Sequence, residues 1–309
     1  MDKGFFMIFH GRTLYSKKYN YPTKMTRHYT FKANLCNYLI IVLLTVYFSS
    51  CHNKQANQKP SPPTQYPTKD LQVDHLNIWV KNPDRAKEQL MNIGFRAIPD
   101  SLSQIHKGQG TTGRYFNFLN GYLELIFVYD EVEFAQNNKV NNQLDFEERA
   151  KFESNGASPF SLALKVKDYK LEKIPFEKVR YHQDWMEANS SIYAAKSSKT
   201  HIKAPSIFVV YPGIESDVFE TLADLKNIPE EYAFYRDYFK HPNGAKKITA
   251  IIIRSTSSNL ETETMQAVNG LGNVKVQNGT EHFMELYFDD HIQGKSFDLR
   301  PELPLVIHL

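Results

Sequence analysis

From Val73 onward, apolar and polar positions begin to alternate. Leu76, Ile78 and Val80 fall on one side and His75, Asn77 and Trp79 on the other, the period of a strand with two distinct faces. A helix is expected next. Asn82 suits an N-cap and Pro83 the first helical position, Ala86, Leu90 and Ile93 recur at helical spacing, and Gly94 ends the run. Phe95 to Ile98, Gly113 to Leu119 and Tyr122 to Tyr129 then read as three strands, with Asn120-Gly121 as the tight turn before the last. The predicted unit is βαβββ.

The same order returns near the end of the chain. Lys247 to Ser255 reads as a strand, Leu260 to Asn269 as a helix stopped by Gly270, and Asn273 to Gln277 and His282 to Asp289 as further strands. A middle unit is fainter, with strands at Phe160 to Lys167 and Ser206 to Tyr211 around a stretch, Tyr181 to Ser198, that shows no clear period. Between the middle and late units, Pro229 to Tyr238 is expected to be helical, with Tyr232, Tyr235 and Phe239 at helical spacing.

The first 51 residues follow a different pattern. Tyr38 to Phe48 is an apolar run of 11 residues, long enough for the core of an export signal and short of the roughly 20 that a spanning helix needs. Lys24, Arg27 and Lys32 precede it without an acid among them, and Met25 is a plausible start codon for such a leader. The run closes on Phe48-Ser49-Ser50-Cys51, which resembles the lipobox of bacterial lipoproteins, in which the cysteine sulfur takes a diacylglycerol. An uncleaved anchor is the other reading. His52 to Asp70 carries Pro60, Pro62, Pro63 and Pro67, the composition of a semi-extended tether. The expected organisation is a signal over 1–51, a tether over 52–70 and a domain over 71–309, with units at 71–130, 158–212 and 246–290. The expected location is the cell envelope, with the domain held outside the cytoplasmic membrane by its lipid.

Charge and cysteine content narrow the chemistry. Seven of the 37 Lys and Arg residues but only one of the 34 Asp and Glu residues lie in 1–51, leaving 30 basic against 33 acidic side chains, which is no footprint for nucleic acid. The only cysteines are Cys36 and Cys51, so the domain has neither a disulfide nor thiolate chemistry. Eighteen Tyr and 21 Phe favour strands and concave binding surfaces. Gly-x-Ser-x-Gly, His-Glu-x-x-His and Walker patterns are all absent.

Val73-Asp-His-Leu-Asn-Ile-Trp-Val80, Gly94-Phe95, Tyr122-Leu-Glu-Leu-Ile126 and His241-Pro-Asn-Gly-Ala245, in that order and spacing, are together similar to the glyoxalase-like branch of the vicinal oxygen chelate superfamily. The resemblance covers about 71 to 290. It implies an α+β fold in which repeated βαβββ units curl into a cup-shaped mixed sheet with helices outside. It also implies a divalent metal (zinc, iron, manganese or nickel) on the cup floor, held by the first and last strands of each unit. Carried over, these ligand positions are His75 and Glu124 in the first unit, Ser161 and Phe208 in the middle unit, and Thr249 and Glu285 in the late unit.

Alternation agrees in placing His75 and Glu124 on one face, opposite Leu76, Ile78, Leu123 and Leu125. If the late unit closes the cup, His75, Glu124 and Glu285 form a three-ligand site in which Glu124 and Glu285 are also the candidate proton carriers. If the middle unit closes it, two ligands remain and no tight metal site is expected. The bland reading makes His75 a satisfied buried histidine and pairs Glu124 with Arg114. Arg114, on the strand before Glu124, is the candidate for an anionic ligand, and His241 and Asn243 are candidates for the cup lining, although His241-Pro-Asn-Gly244 has the chemistry of a turn.

Two functions stay open. One is a metal-dependent lyase, isomerase or oxygenase acting on a small oxygen-rich molecule. The other is a metal-free module of the same fold that binds or sequesters a small molecule. A structural lipoprotein with a filled cup is a third reading.

Overall fold

The computed structural model describes residues 69–186, 190–211 and 213–309. The export signal, Cys51 and most of the Pro-rich tether lie outside these residues. No helix among the described residues is long and apolar enough to cross a membrane.

The first unit runs β1 (Leu71–Trp79), α1 (Pro83–Asn92), β2 (Ile105–His106), β3 (Thr111–Phe118) and β4 (Gly121–Val128). The Asn82 side chain accepts from the Arg85 N–H at 3.1 Å and starts α1. Gly94, at φ +87°, ends it, with the Gly94 and Phe95 N–H groups donating to the Met91 and Leu90 carbonyls. Phe95 to Ile98 does not form the expected strand. Phe95 is spent on the helix cap, and only the Ile98 N–H reaches β3, donating to the Tyr115 carbonyl at 2.9 Å. The short β2 takes the place in the sheet instead.

The middle unit supplies β5 (Phe160–Val166), β6 (Lys178–Tyr181), β7 (Ile192–Ala195) and β8 (Ser206–Val210). These strands join the first unit in one eight-stranded sheet of order β2-β3-β4-β1-β5-β8-β7-β6. Its two halves meet where β1 pairs antiparallel with β5, Asn77 opposite Ser161 and His75 opposite Ala163. In each half the first strand runs parallel to the last, β1 beside β4 and β5 beside β8. The middle unit therefore closes the cup.

Between the halves lie three helices, α2 (Glu131–Val140), α3 (Phe146–Ala150) and α4 (Phe152–Asn155), with Asp130 capping α2 by accepting from the Val132 and Glu133 N–H groups. Between β5 and β6, two short 3-10 turns, Lys167–Tyr169 and Leu171–Lys173, stand where the first unit has α1. The helical stretch expected from Pro229 to Tyr238 is a 3-10 segment, Glu230–Phe239.

The late unit forms its own sheet from β9 (Ile248–Ser255), β10 (Val274–Asn278), β11 (Phe283–Phe288), β12 (Ser296–Asp298) and β13 (Leu305–His308), in the order β10-β9-β11-β13-β12. Its helix is α6 (Glu263–Asn269), in sequence after the single turn α5 (Ser197–Thr200). Thr262 caps α6 by accepting from the Met265 N–H at 3.2 Å. Leu76, Ile78, Leu162, Leu164, Ile207 and Val209 on the convex side of the cup share one apolar core with Leu90 of α1, with Met265, Ala267 and Val268 of α6, and with Ile251, Met284 and Ile307 of the second sheet. Helix α6 thus joins the core that covers the half of the cup without a helix of its own. Ser197 and Thr264 tie α5 to α6 through a hydroxyl–hydroxyl hydrogen bond of 2.7 Å.

Candidate functional site

The concave side of the eight-stranded sheet lines a cavity of about 80 Å³. Alternation selects what faces it: His75, Asn77 and Trp79 from β1, Tyr115 from β3, Tyr122, Glu124 and Ile126 from β4, Ser161 from β5, and Ser206 and Phe208 from β8. Leu144, Asp145, Phe146 and Arg149 reach in from the segment between the halves, and Trp185 and Ile192 from the far side. The walls are mostly aromatic and aliphatic, and the polar groups gather over β1 and β4.

His75 and Glu124 share this floor, as the alternation predicted. Glu124 is buried and accepts from Asn77 Nδ2 at 2.9 Å and from the Tyr115 hydroxyl at 3.0 Å. Burial raises its carboxyl to about 7, against the opposing pull of the Tyr115 hydrogen bond. Gly113 makes the room for it, since a Cβ there would collide with the carboxylate. The phenols of Tyr115 and Tyr122 are both raised, first by burial and next by the Glu124 charge.

Behind Tyr115 stands His106. Its Nε2 lies 3.3 Å from the Tyr115 hydroxyl and its Nδ1 lies 2.9 Å from Thr111 Oγ1, which in turn accepts from Gln109 Nε2. Burial, with a smaller contribution from His75, lowers His106 to about 4, so it is neutral at ordinary pH. The donor directions then give it an Nε2–H pointing at Tyr115. The Tyr181 hydroxyl extends the chain by donating to Gln109 Oε1 at 3.1 Å. A continuous line of hydrogen bonds from Tyr181 to Asn77 therefore fixes the Glu124 carboxyl in place.

His75 is oriented from its own strand. The register between β1 and β5 slips between Val73 and His75, which leaves Asp74 as the extra residue of a bulge. The Asp74 carboxylate accepts from the Ser216 N–H at 2.9 Å and stands 2.6 Å from His75 Nδ1. With the carboxylate as acceptor, Nδ1 carries the proton and Nε2 is the nitrogen left for the cup. The ring is clamped flat on Tyr122, 4.2 Å between centroids, with Phe208 at its edge.

The other expected site residues lie elsewhere. Arg114 follows Gly113 and precedes Tyr115 on β3, so it points to the opposite face. There it pairs with Asp84 and Asp100 at 3.2 and 3.1 Å and lies over the Phe127 ring, so it does not pair with Glu124. Glu285 belongs to β11 in the second sheet, where it pairs with Arg254 at 3.2 Å and approaches His308 at 3.5 Å. The three-ligand set of His75, Glu124 and Glu285 therefore does not assemble.

His241 and Asn243 are a clasp and not a lining. His241 Nδ1 accepts from the Arg96 N–H at 2.9 Å, its Nε2 donates to the Asn117 carbonyl at 2.8 Å, and burial lowers it to about 4. Asn243 donates to the Ile93 carbonyl and approaches Gly94 so closely that a Cβ at that glycine would lie 2.9 Å from the Asn243 Cβ. The turn thus locks the end of α1 to the segment leading into β9.

A resident divalent metal does not fit the residues present. The Glu124 oxygens already face an N–H and an O–H donor, and the middle unit contributes Ser161 and Phe208 at the corresponding positions. No group of three His, Cys, Asp or Glu side chains among the described residues could hold a metal ion. Arg149 adds no free cation, because it is spent on Asp145 and on the Ser158, Ala204 and Ser198 carbonyls.

No known protein family and no curated protein matches the chain. Among solved structures it is similar to a hypothetical protein from Staphylococcus aureus, at 14% identity and TM-score 0.43 over 77% of this chain and 98% of the other. It is also similar to methylmalonyl-CoA epimerase from Mycobacterium tuberculosis, at 16% identity and TM-score 0.29 over 45% and 87% of the two chains. A hypothetical protein from Bacillus halodurans gives 10% identity and TM-score 0.31 over 45% and 93%. Likeness this distant leaves the cup's own residues to carry any functional reading.

Proposed function

We propose that this chain is a lipid-anchored, glyoxalase-like protein of the bacterial cell envelope whose cup binds a small molecule and moves a proton on it. Glu124 is the residue that carries the proton, and the observation behind this is its buried carboxyl, held on the cup floor and raised to about 7. A carboxyl that titrates near neutral pH is present in both forms there, as a general base or acid requires. His75, with Nδ1 held by Asp74, is a second group able to accept or donate on the same floor. Both floor groups meet the reacting centre while the aromatic walls exclude water. The chemistry this suits is proton transfer at a carbon next to a carbonyl, of the isomerase or lyase kind. Nothing in the donor set supports a metal-bound step.

The second reading is a binding or sequestering module. The aromatic walls of the cup favour it, since they grip a ligand without having to act on it. Solvent hydrogen exchange separates the two. The protein is incubated in heavy water with a panel of small carbonyl compounds and the C–H signals are followed by NMR. Exchange lost in Glu124→Gln supports the enzyme. Bound compounds that never exchange leave the binding module.

A further inference from the structure

Every cation that faces the cup already has its partner. Arg149 is paired with Asp145 at 2.8 Å and saturated by backbone carbonyls. The Glu124 oxygens take hydrogen bonds from Asn77 and Tyr115, and His75 faces Asp74. No Lys lines the cup. A carboxylate or phosphate entering it would lose its water and meet no spare cation. Desolvating an ion without a counter-charge is among the most costly events a pocket can impose.

The cup also leaves two neutral groups open. Asn77 Oδ1, an acceptor, and Trp185 Nε1–H, a donor, are both buried and both without a hydrogen-bond partner among the described residues. Both residues line the cup. Buried polar groups are nearly always paired, so two orphans of opposite kind beside one cavity describe a partner that offers a donor to the first and an acceptor to the second. Trp79, Tyr115, Tyr122, Phe146, Tyr181 and Phe208 supply flat apolar walls around them.

We infer that the cup selects a flat molecule without an anionic group, carrying one hydrogen-bond donor and one acceptor, and turns away carboxylates and phosphates of the same shape. This rests on the cup being the ligand site proposed above. It deepens that reading by naming the class of molecule bound.

The test uses the full chain and two isosteric probes: benzamide (uncharged) and benzoate (an anion). Trp79 and Trp185 are the chain's only two tryptophans and both line the cup, so intrinsic tryptophan fluorescence responds to a ligand there, and a variant that narrows the cup identifies the response as coming from it. Benzamide is expected to change the emission saturably, with benzoate at least about tenfold weaker. Ala194→Phe, which narrows the cup from β7, should remove the benzamide response. Trp185→Phe should weaken benzamide several-fold yet leave toluene, which makes no hydrogen bond, unchanged. Thermal unfolding of each variant confirms that it is folded. Benzoate binding as tightly as benzamide overturns the inference and leaves the cup as a ligand site. If neither binds to the folded protein, both readings fall.

Discussion

At the scale of single residues, the floor of the cup is organised around one carboxyl that burial keeps from ionising easily. Its pH behaviour has a definite sign. Folded Glu124 holds its proton up to about 7, against an ordinary value of 4.5, so the folded state binds the proton more tightly than the unfolded chain does. Its contribution to stability is therefore fully present below about 4.5 and is lost as pH rises through about 7. Glu124→Gln cannot titrate. Denaturant unfolding at a series of pH values should show wild type losing about 3 kcal/mol relative to the variant across that window. His106 and His241 are lowered to about 4 and work in the opposite sense, but they are common to both proteins and cancel in the difference. A difference that stays flat with pH would show that Glu124 is not shifted.

His75 and Glu124 were legible in the sequence because two-residue alternation fixes which face a strand residue takes. The same rule hid Asp74. Neighbours on a strand should point apart, and only the bulge at Asp74 lets its carboxylate reach the adjacent ring. His106 and Trp185 were hidden for another reason: they sit on a two-residue strand and an irregular loop, which have no period to read. The facing of Arg114 was not fixed by the sequence, and the register, which puts its neighbour Tyr115 opposite Glu124, turns it to the other face.

At the scale of elements, the repeats were visible and their partnership was not. Three units with a common order say nothing about which two share a sheet. The late unit is the better patterned of the two candidates that the sequence left open, yet the fainter middle unit closes the cup. The middle unit is faint because it lacks the amphipathic helix that makes such a unit easy to recognise. Helix α6 joins the core there, and this gives a mechanical prediction. Met265→Ala, at a buried position of α6, should cost about 2 to 5 kcal/mol in denaturant unfolding. Fluorescence from the cup tryptophans and far-ultraviolet circular dichroism should report the same shifted midpoint, because one core serves both sheets. Two separated transitions would mean that the sheets unfold independently.

For the molecule as a whole, two outcomes follow. Elemental analysis of the purified protein after dialysis should give divalent metal well below one equivalent, and His75→Ala should leave that figure unchanged. Stoichiometric metal lost in the variant would reverse the reading of the donor set. Cys51 lies outside the described residues, and its role is tested by its chemistry: Cys51→Ser should move the protein from the detergent phase to the aqueous phase on Triton partitioning. A variant that stays in the detergent phase would point to an uncleaved apolar anchor instead.

The shared core also sets an order of events. A chain is made from its N-terminus, so β5 and β8 emerge well before α6, which begins only at Glu263. Until then the outer sides of those strands, Leu162, Leu164, Ile207 and Val209 among them, have only part of their final cover. A product broken off before residue 263 carries every strand of the cup yet exposes sticky apolar surface, the mark by which chaperones and proteases recognise unfinished chains. The segment from Glu263 onward thus completes the cover of the strands that build the binding half of the molecule.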